Sequence, residues 1–373
     1  MKTLTNNRFP RVAALQINQI TFTRFIAALT VVFFHYGTHA FPATFSWLSE
    51  SVTAGPIAVN YFYVLSGFIM AIAYYQPHNP APLSKRKYWI ARFARIYPVY
   101  LVALLLMAVA SSSEVVNNPL ALPLHVTMLQ AWVPGYPMTL NNPGWSLSVE
   151  AFFYLCFPFL LALIYRTGLK YLTIVCFVLW LITQFILLTG INSPEYTGKS
   201  LLHDFVYYHP LMHINAFIAG LLCGVLYKSK ADSLKSPNPV LLLGSLLLIV
   251  MLLEFRPFFE NIVGYKLAYT NGLIAPVFLL FIWLLASTKG RIQTLLSHPT
   301  LILLGEASFS LYILQKPVYG LYNRILEPRL GLGEVADFYV ALILLIILSI
   351  ASYKLFETPA RTYINKALAA KPT

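Results

Sequence analysis

Arg24 and His35 lie eleven positions apart in one apolar stretch, Ile17 to Tyr36. Eleven residues make three helical turns plus roughly 20°, so the two side chains share a helix face about 16 Å apart along the axis. Ionisable groups inside a membrane helix are costly, and their presence points to function by default. The bland alternatives are an arginine snorkelling from the helix end and a core histidine satisfied by one hydrogen bond. Read together, the pair offers a deep cation for an anionic group and an imidazole able to exchange a proton. Glu150, in Trp145-Ser-Leu-Ser-Val-Glu150, stands about one turn into a later apolar stretch. A carboxylate at the depth of His35 would fix its tautomer and raise its basicity, as a general base requires. The alternative for Glu150 is a charge favoured by the helix dipole alone.

Arg92 and Arg95 are three apart, hence neighbours on one helix face, and paired guanidiniums suit the bidentate grip of phosphate. Lys85, Arg86 and Lys87 just before them read as topology anchors and contacts for anionic lipid. Ser66 and Gly67 would let another helix, or a slender ligand arm, approach the backbone closely. Ser308, Ser310, Tyr312 and Gln315 place polar groups in a late helix, with helix packing as the alternative. Cys156, Cys176 and Cys223 all fall in apolar runs and form neither a metal nor a disulfide framework.

The elements that must position these residues follow from composition. The chain has 373 residues, 58% of them hydrophobic and 10% charged, with mean hydropathy +0.68, which excludes a soluble globule. Apolar stretches predict ten transmembrane helices, near 17–36, 57–75, 89–110, 145–165, 171–189, 210–227, 239–254, 267–287, 300–320 and 337–356. The pieces between 239 and 287 are interrupted by Glu254, Arg256 and Glu260. With that placement nineteen Lys and Arg fall on one side, six on the other, and Arg24 within the membrane. The positive-inside rule then puts both termini in the cytoplasm. The net charge of +13 is mainly this topology signal, not a nucleic-acid stripe. The expectation is an all-α, polytopic, single membrane domain over 1–373 with short cytoplasmic tails and no cleaved leader.

Five motifs in order carry a resemblance. They are Arg24-x10-His35, the aromatic run Tyr61 to Phe68 ending in Leu-Ser-Gly-Phe, Arg92-x-x-Arg95-Ile-Tyr-Pro-Val-Tyr, Trp145-Ser-Leu-Ser-Val-Glu150 with Phe153 and Tyr154, and Ser308-Phe-Ser-Leu-Tyr-Ile. Together, from about residue 15 to 363, they resemble the acyltransferase-3 family of bacterial membrane O-acyltransferases. The resemblance implies an acyl-coenzyme A donor, with acetyl the default acyl group, and a hydroxyl acceptor on a glycan, a lipid-linked sugar or another exported molecule. It implies residence in the bacterial inner membrane, no permanently bound cofactor, and no metal or nucleic-acid partner. It makes His35 and Arg24 essential, with Arg92, Arg95 and Glu150 in support. Ser66 and Gly67 then fall to the donor, and Trp145, Tyr154, Tyr312 and Gln315 to the substrates. Gln315 stands where members of the family often have His, and an amide cannot exchange a proton near neutral pH. The chain resembles the stand-alone members, without an appended esterase-like domain. The competing reading is a secondary transporter with a proton path through Arg24, His35 and Glu150. It leaves the arginine pair without a phosphate, and the sequence shows no half-to-half repeat to support it.

Overall fold

The computed structural model describes residues 17–77 and 83–369, so Lys2, Arg8, Arg11 and Lys371 of the charge count lie outside the described residues. Helices occupy all ten expected stretches. They are α1 (Thr21–Tyr36), α2 (Gly55–Tyr74), α3 (Lys85–Ala110), α4 (Gly144–Thr167), α5 (Leu169–Ile191), α6 (Ile214–Ser229), α7 (Pro239–Glu254), α8 (Ala275–Ser287), α9 (Pro299–Ile325) and α10 (Glu334–Ser352). By length and composition five described helices can cross a membrane: α2, α3, α4, α5 and the continuous Glu334–Leu368. A sixth is gained if α7 and Arg256–Val263, bent by 59°, count as one span. α6 and α8 are apolar but shorter. The chain is therefore an all-helical, multi-pass membrane protein.

The exposed apolar surface has the same origin. Phe177, Leu181 and Phe185 on α5 and Val240, Leu243 and Leu247 on α7 are bare. Surface of that extent is stable only against lipid. α2 is the opposite case, with almost its whole length enclosed. It packs along α6, and glycine decides how closely. A Cβ on Gly67 would fall 2.0 Å from the Phe217 carbonyl oxygen, and one on Gly220 would fall 1.9 Å from that of Val64. The two backbones thus touch, as small residues allow in membrane helix pairs. Gly67 faces α6, and the approach open to a ligand arm at this point is taken by a helix.

α1 is gripped between α2 and α9, and α9 packs in turn against α10. The α1–α9 contact is close enough that a Cβ on Gly305 would meet the Thr21 carbonyl at 2.1 Å. α10 passes through a π-helical turn, Tyr353–Glu357, into Thr358–Ala369, which lies along α3. Residues 111–143 fold inward. Ala121, His125, Gln130, Leu140 and Asn141 have essentially no exposure. Their polar groups are tied to the helices: Tyr100 Oη donates to the His125 carbonyl at 2.7 Å, Gln130 Nε2 to that of Gly144 at 2.8 Å, and Ser148 Oγ to that of Met128 at 2.5 Å. Buried backbone in an apolar bundle needs such partners.

Candidate active site

Five helices line one cavity of about 200 Å³, and each brings one of the motifs singled out in the sequence. α1 contributes Arg24, α2 Phe62 and Ser66, α3 Arg92 and Arg95, α4 Ser146, Glu150 and Tyr154, and α9 Glu306, Ser308 and Tyr312. Segments up to 288 residues apart are joined here, which is why no local stretch of sequence displays the site.

The three guanidiniums differ in their partners. Arg92 is held within the protein: it donates to Tyr74 Oη at 3.3 Å and to Met70 Sδ at 3.6 Å, and lies against the rings of Tyr74 and Tyr154 at 5.7 and 5.8 Å. Arg24 and Arg95 make no hydrogen bond, and no ion pair within 4.0 Å, to any described residue. Carboxylates act on both from a distance, namely Glu150, Glu306 and Glu357. The donors of Arg24 and Arg95 thus stay available to a ligand while nearby opposite charge keeps the ionised arginines tolerable in the bundle. A planar fork with free N–H groups is matched by phosphate or carboxylate oxygens.

Glu150 accepts a short hydrogen bond from Tyr154 Oη at 2.5 Å and a longer one from Ser66 Oγ at 3.4 Å. Both partners face the cavity, and among the described residues no hydrogen bond joins Glu150 to His35. The expected pairing of these two groups at one depth is replaced by a grouping of Glu150 with the arginines. Residues 111–143 supply the reason: folded into the bundle and bonded to Gly144 and Ser148, they sink the first turn of α4 below the protein surface.

His35 stands apart from the cavity. Its ring is exposed and touches those of Phe34 and Tyr36, and the charge that acts on it is Lys316. Lys316 is itself anchored to the inward-folded segment through the Leu140 carbonyl and Asn142 Oδ1, each at 2.5 Å. His39, the nearest other imidazole in the sequence, pairs with Glu334 at 3.3 Å. A second cavity lies near this end of α1, lined by Phe34 and Thr38, by the rings of Tyr207 and Tyr269, and by the Glu50–Arg256 ion pair at 3.2 Å.

The remaining sequence candidates divide. Tyr154 and Tyr312 face the first cavity, and Tyr312 Oη is bonded to Ser146 Oγ at 2.7 Å. Trp145 does not; it is buried against Tyr208 and His213, with ring centroids 4.9 and 5.6 Å away. Gln315 is also fully buried and donates to the Tyr312 carbonyl at 2.6 Å. Two carboxylates escaped the sequence reading. Glu306 lines the cavity, and an acid between two apolar runs was signal enough to find it. Glu357 lies one residue beyond the last expected stretch; the π-helical turn carries it inward, 2% exposed, where Ser310 Oγ donates to it at 3.3 Å. Such turns recur at functional sites.

A family model described as an acyltransferase domain matches residues 17–354. A protein of Staphylococcus aureus strain COL, named a putative O-acetyltransferase, is 25% identical over 370 residues, covering 94% of this chain and 58% of the relative. This chain thus spans little more than half the length of that relative. Acyltransferase MdmB of Streptomyces mycarofaciens is 27% identical over 346 residues, covering 86% of this chain and 83% of that protein. No solved structure matches. With the family model covering nearly the whole of the helical bundle that builds the cavity, the chain belongs to the acyltransferase-3 family.

Proposed function

We propose that this protein is a membrane-bound O-acyltransferase that moves an acyl group, acetyl by default, from acyl-coenzyme A to a hydroxyl of a glycan or another exported acceptor. The observation that carries this reading is the cavity in which Arg24 and Arg95 present guanidiniums with no hydrogen-bond partner among the described residues, beside an anchored Arg92. The names of the S. aureus and Streptomyces relatives agree with it. Ten spans with both termini in the cytoplasm, in a bacterial inner membrane, complete the proposal. They place the arginine end of α1 toward the cytoplasm, where the donor is made, and His35 toward the outer face.

In this scheme Arg24 and Arg95 take the donor's phosphates in forked contacts, with Arg92 as a fixed wall of the same charge. The pantetheine arm extends along α1 for the roughly 16 Å that separates Arg24 from His35. His35 removes the proton of the acceptor hydroxyl as its oxygen attacks the thioester carbonyl. The carbon–sulfur bond then breaks, and the imidazolium returns the proton to the departing coenzyme A thiolate. A base so placed contributes typically about 10² to 10⁴-fold. An acyl-imidazole at His35, later attacked by the same hydroxyl, is an alternative route to the same products. The second cavity, beside Phe34 and Thr38, offers room for the acceptor.

The test is acyl transfer by the purified protein in detergent-solubilised membrane extract of its host, with acetyl-coenzyme A as donor and free coenzyme A read by a thiol reagent. Extract-dependent release, with acetyl recovered as an ester, is expected. Absence of both coenzyme A binding and release would refute the proposal.

A further inference from the structure

The arginine cavity stops short of His35, and the contacts among α1, α2 and α9 locate where. α9 runs alongside α1 in the same direction: Gly305 abuts Thr21 at one end, and Tyr319 stacks on Tyr36 at the other with centroids 4.0 Å apart. Tyr312, midway between Gly305 and Tyr319, is therefore level with the middle of α1. α2 runs the opposite way, with Gly55 packed on Phe34 and Tyr61 Oη 2.6 Å from Thr23 Oγ. Phe62 is seven residues along α2 from Gly55, about 10 Å below the level of Phe34. Phe62 and Tyr312 thus occupy one level, and they meet there edge to face, centroids 6.0 Å apart and planes at 72°. Both line the cavity, whereas His35, Lys316 and Tyr319 do not.

The two rings are held differently. Tyr312 is buried and tethered through its hydroxyl to Ser146. Phe62 is half-buried and, lacking a polar atom, is held by packing alone. An arm that carries a thioester from the arginines along α1 toward His35 would reach this pair midway, with its acyl group leading.

We propose that Phe62 and Tyr312 form an acyl-length filter, in which Phe62 yields and Tyr312 stays fixed, so that short acyl groups pass and longer ones are excluded. The proposal rests on the acyl-coenzyme A reading above and names the residues that set its donor specificity. An edge-to-face pair adds little beyond its buried area, so a small group can part the rings at little cost. Each added methylene must instead be accommodated in a close-packed bundle.

The experiment compares acetyl-, butyryl- and hexanoyl-coenzyme A as donors for wild type, Phe62→Ala and Phe62→Leu in the same membrane extract, reading coenzyme A release. Coenzyme A binding by calorimetry is measured in parallel. Wild type is expected to favour acetyl, and Phe62→Ala to raise the hexanoyl-to-acetyl ratio of kcat/KM by about tenfold or more. Phe62→Leu, which keeps the bulk of an apolar side chain, serves where the alanine variant fails to fold and should raise the ratio to a smaller extent. Coenzyme A binding should persist in both, since the arginines assigned to the phosphates are untouched. An unchanged ratio in a variant that still binds coenzyme A would overturn the filter alone, as would a wild type that handles hexanoyl as well as acetyl. No binding and no release by wild type with any donor would overturn the acyltransferase reading, and the filter with it.

Discussion

The two ends of α1 are built on opposite plans. Around Arg24 the bundle gathers charge: three arginines and two glutamates line one cavity, with Glu357 buried behind them. Around His35 the protein supplies rings and one ammonium, and leaves the imidazole exposed. The first environment suits holding a polyanion in place, since donors are preorganised and their charge is balanced before the ligand arrives. The second suits a base that must meet a partner from outside the bundle. Recognition and chemistry, on this account, are separated along one rigid helix by about three turns, and the cost of burying arginines falls only where phosphate is bound.

Substitutions at the two ends should therefore fail in different measurements. His35→Ala should lower acyl transfer by about 10² to 10⁴-fold with coenzyme A affinity retained; steady-state turnover and calorimetry on one preparation check this. His39→Ala, which removes contacts to Glu334 and to the Phe338 ring away from the arginine cavity, should stay near wild type in both. Arg95→Lys should weaken coenzyme A binding by roughly 10- to 100-fold, because one ammonium cannot replace a forked contact worth about 1.5–3 kcal/mol. An equal loss in Lys87→Ala would replace the clamp by a diffuse patch. Gly220→Ala, which drives a methyl into the Val64 carbonyl, serves as the structural control. It should cost about 1–3 kcal/mol of stability in thermal unfolding and lower both readouts through folding alone. Glu150→Gln is the finest test. Its carboxylate stands among the arginines, so removing it should tighten coenzyme A by about 1 kcal/mol, or roughly fivefold, and leave the pH profile governed by His35 in place. A moved profile would restore the pairing of Glu150 with His35.

How far the sequence carried this picture depends on what kind of signal each part leaves. Helix positions leave a composition signal over some twenty residues, and each stretch read from it holds one of α1 to α10, although α8 begins only at Ala275 within the expected 267–287. The cavity residues were legible because polar groups in apolar runs are conspicuous, Arg24, Arg92, Arg95 and Glu150 among them. Depth was not legible for Glu150. Counting turns from a helix start assumes that the helix starts at the surface, and the inward fold of residues 111–143 breaks that assumption through bonds such as Ser148 to the Met128 carbonyl. Glu357 was hidden for a related reason: it follows the last apolar run, and only the π-helical turn at Tyr353–Glu357 turns it inward. Gly67 gave a correct signal with two readings, close approach by a helix or by a ligand, and the helix α6 occupies the place.

The separation of the two ends is tested most directly by titrating coenzyme A into purified His35→Ala by calorimetry. If phosphates are held only at the Arg24 end, the variant should bind with the wild-type Kd while its acyl transfer is lost. A His35→Ala protein that is folded but has lost coenzyme A affinity along with turnover would place the histidine in the donor site and contradict the account.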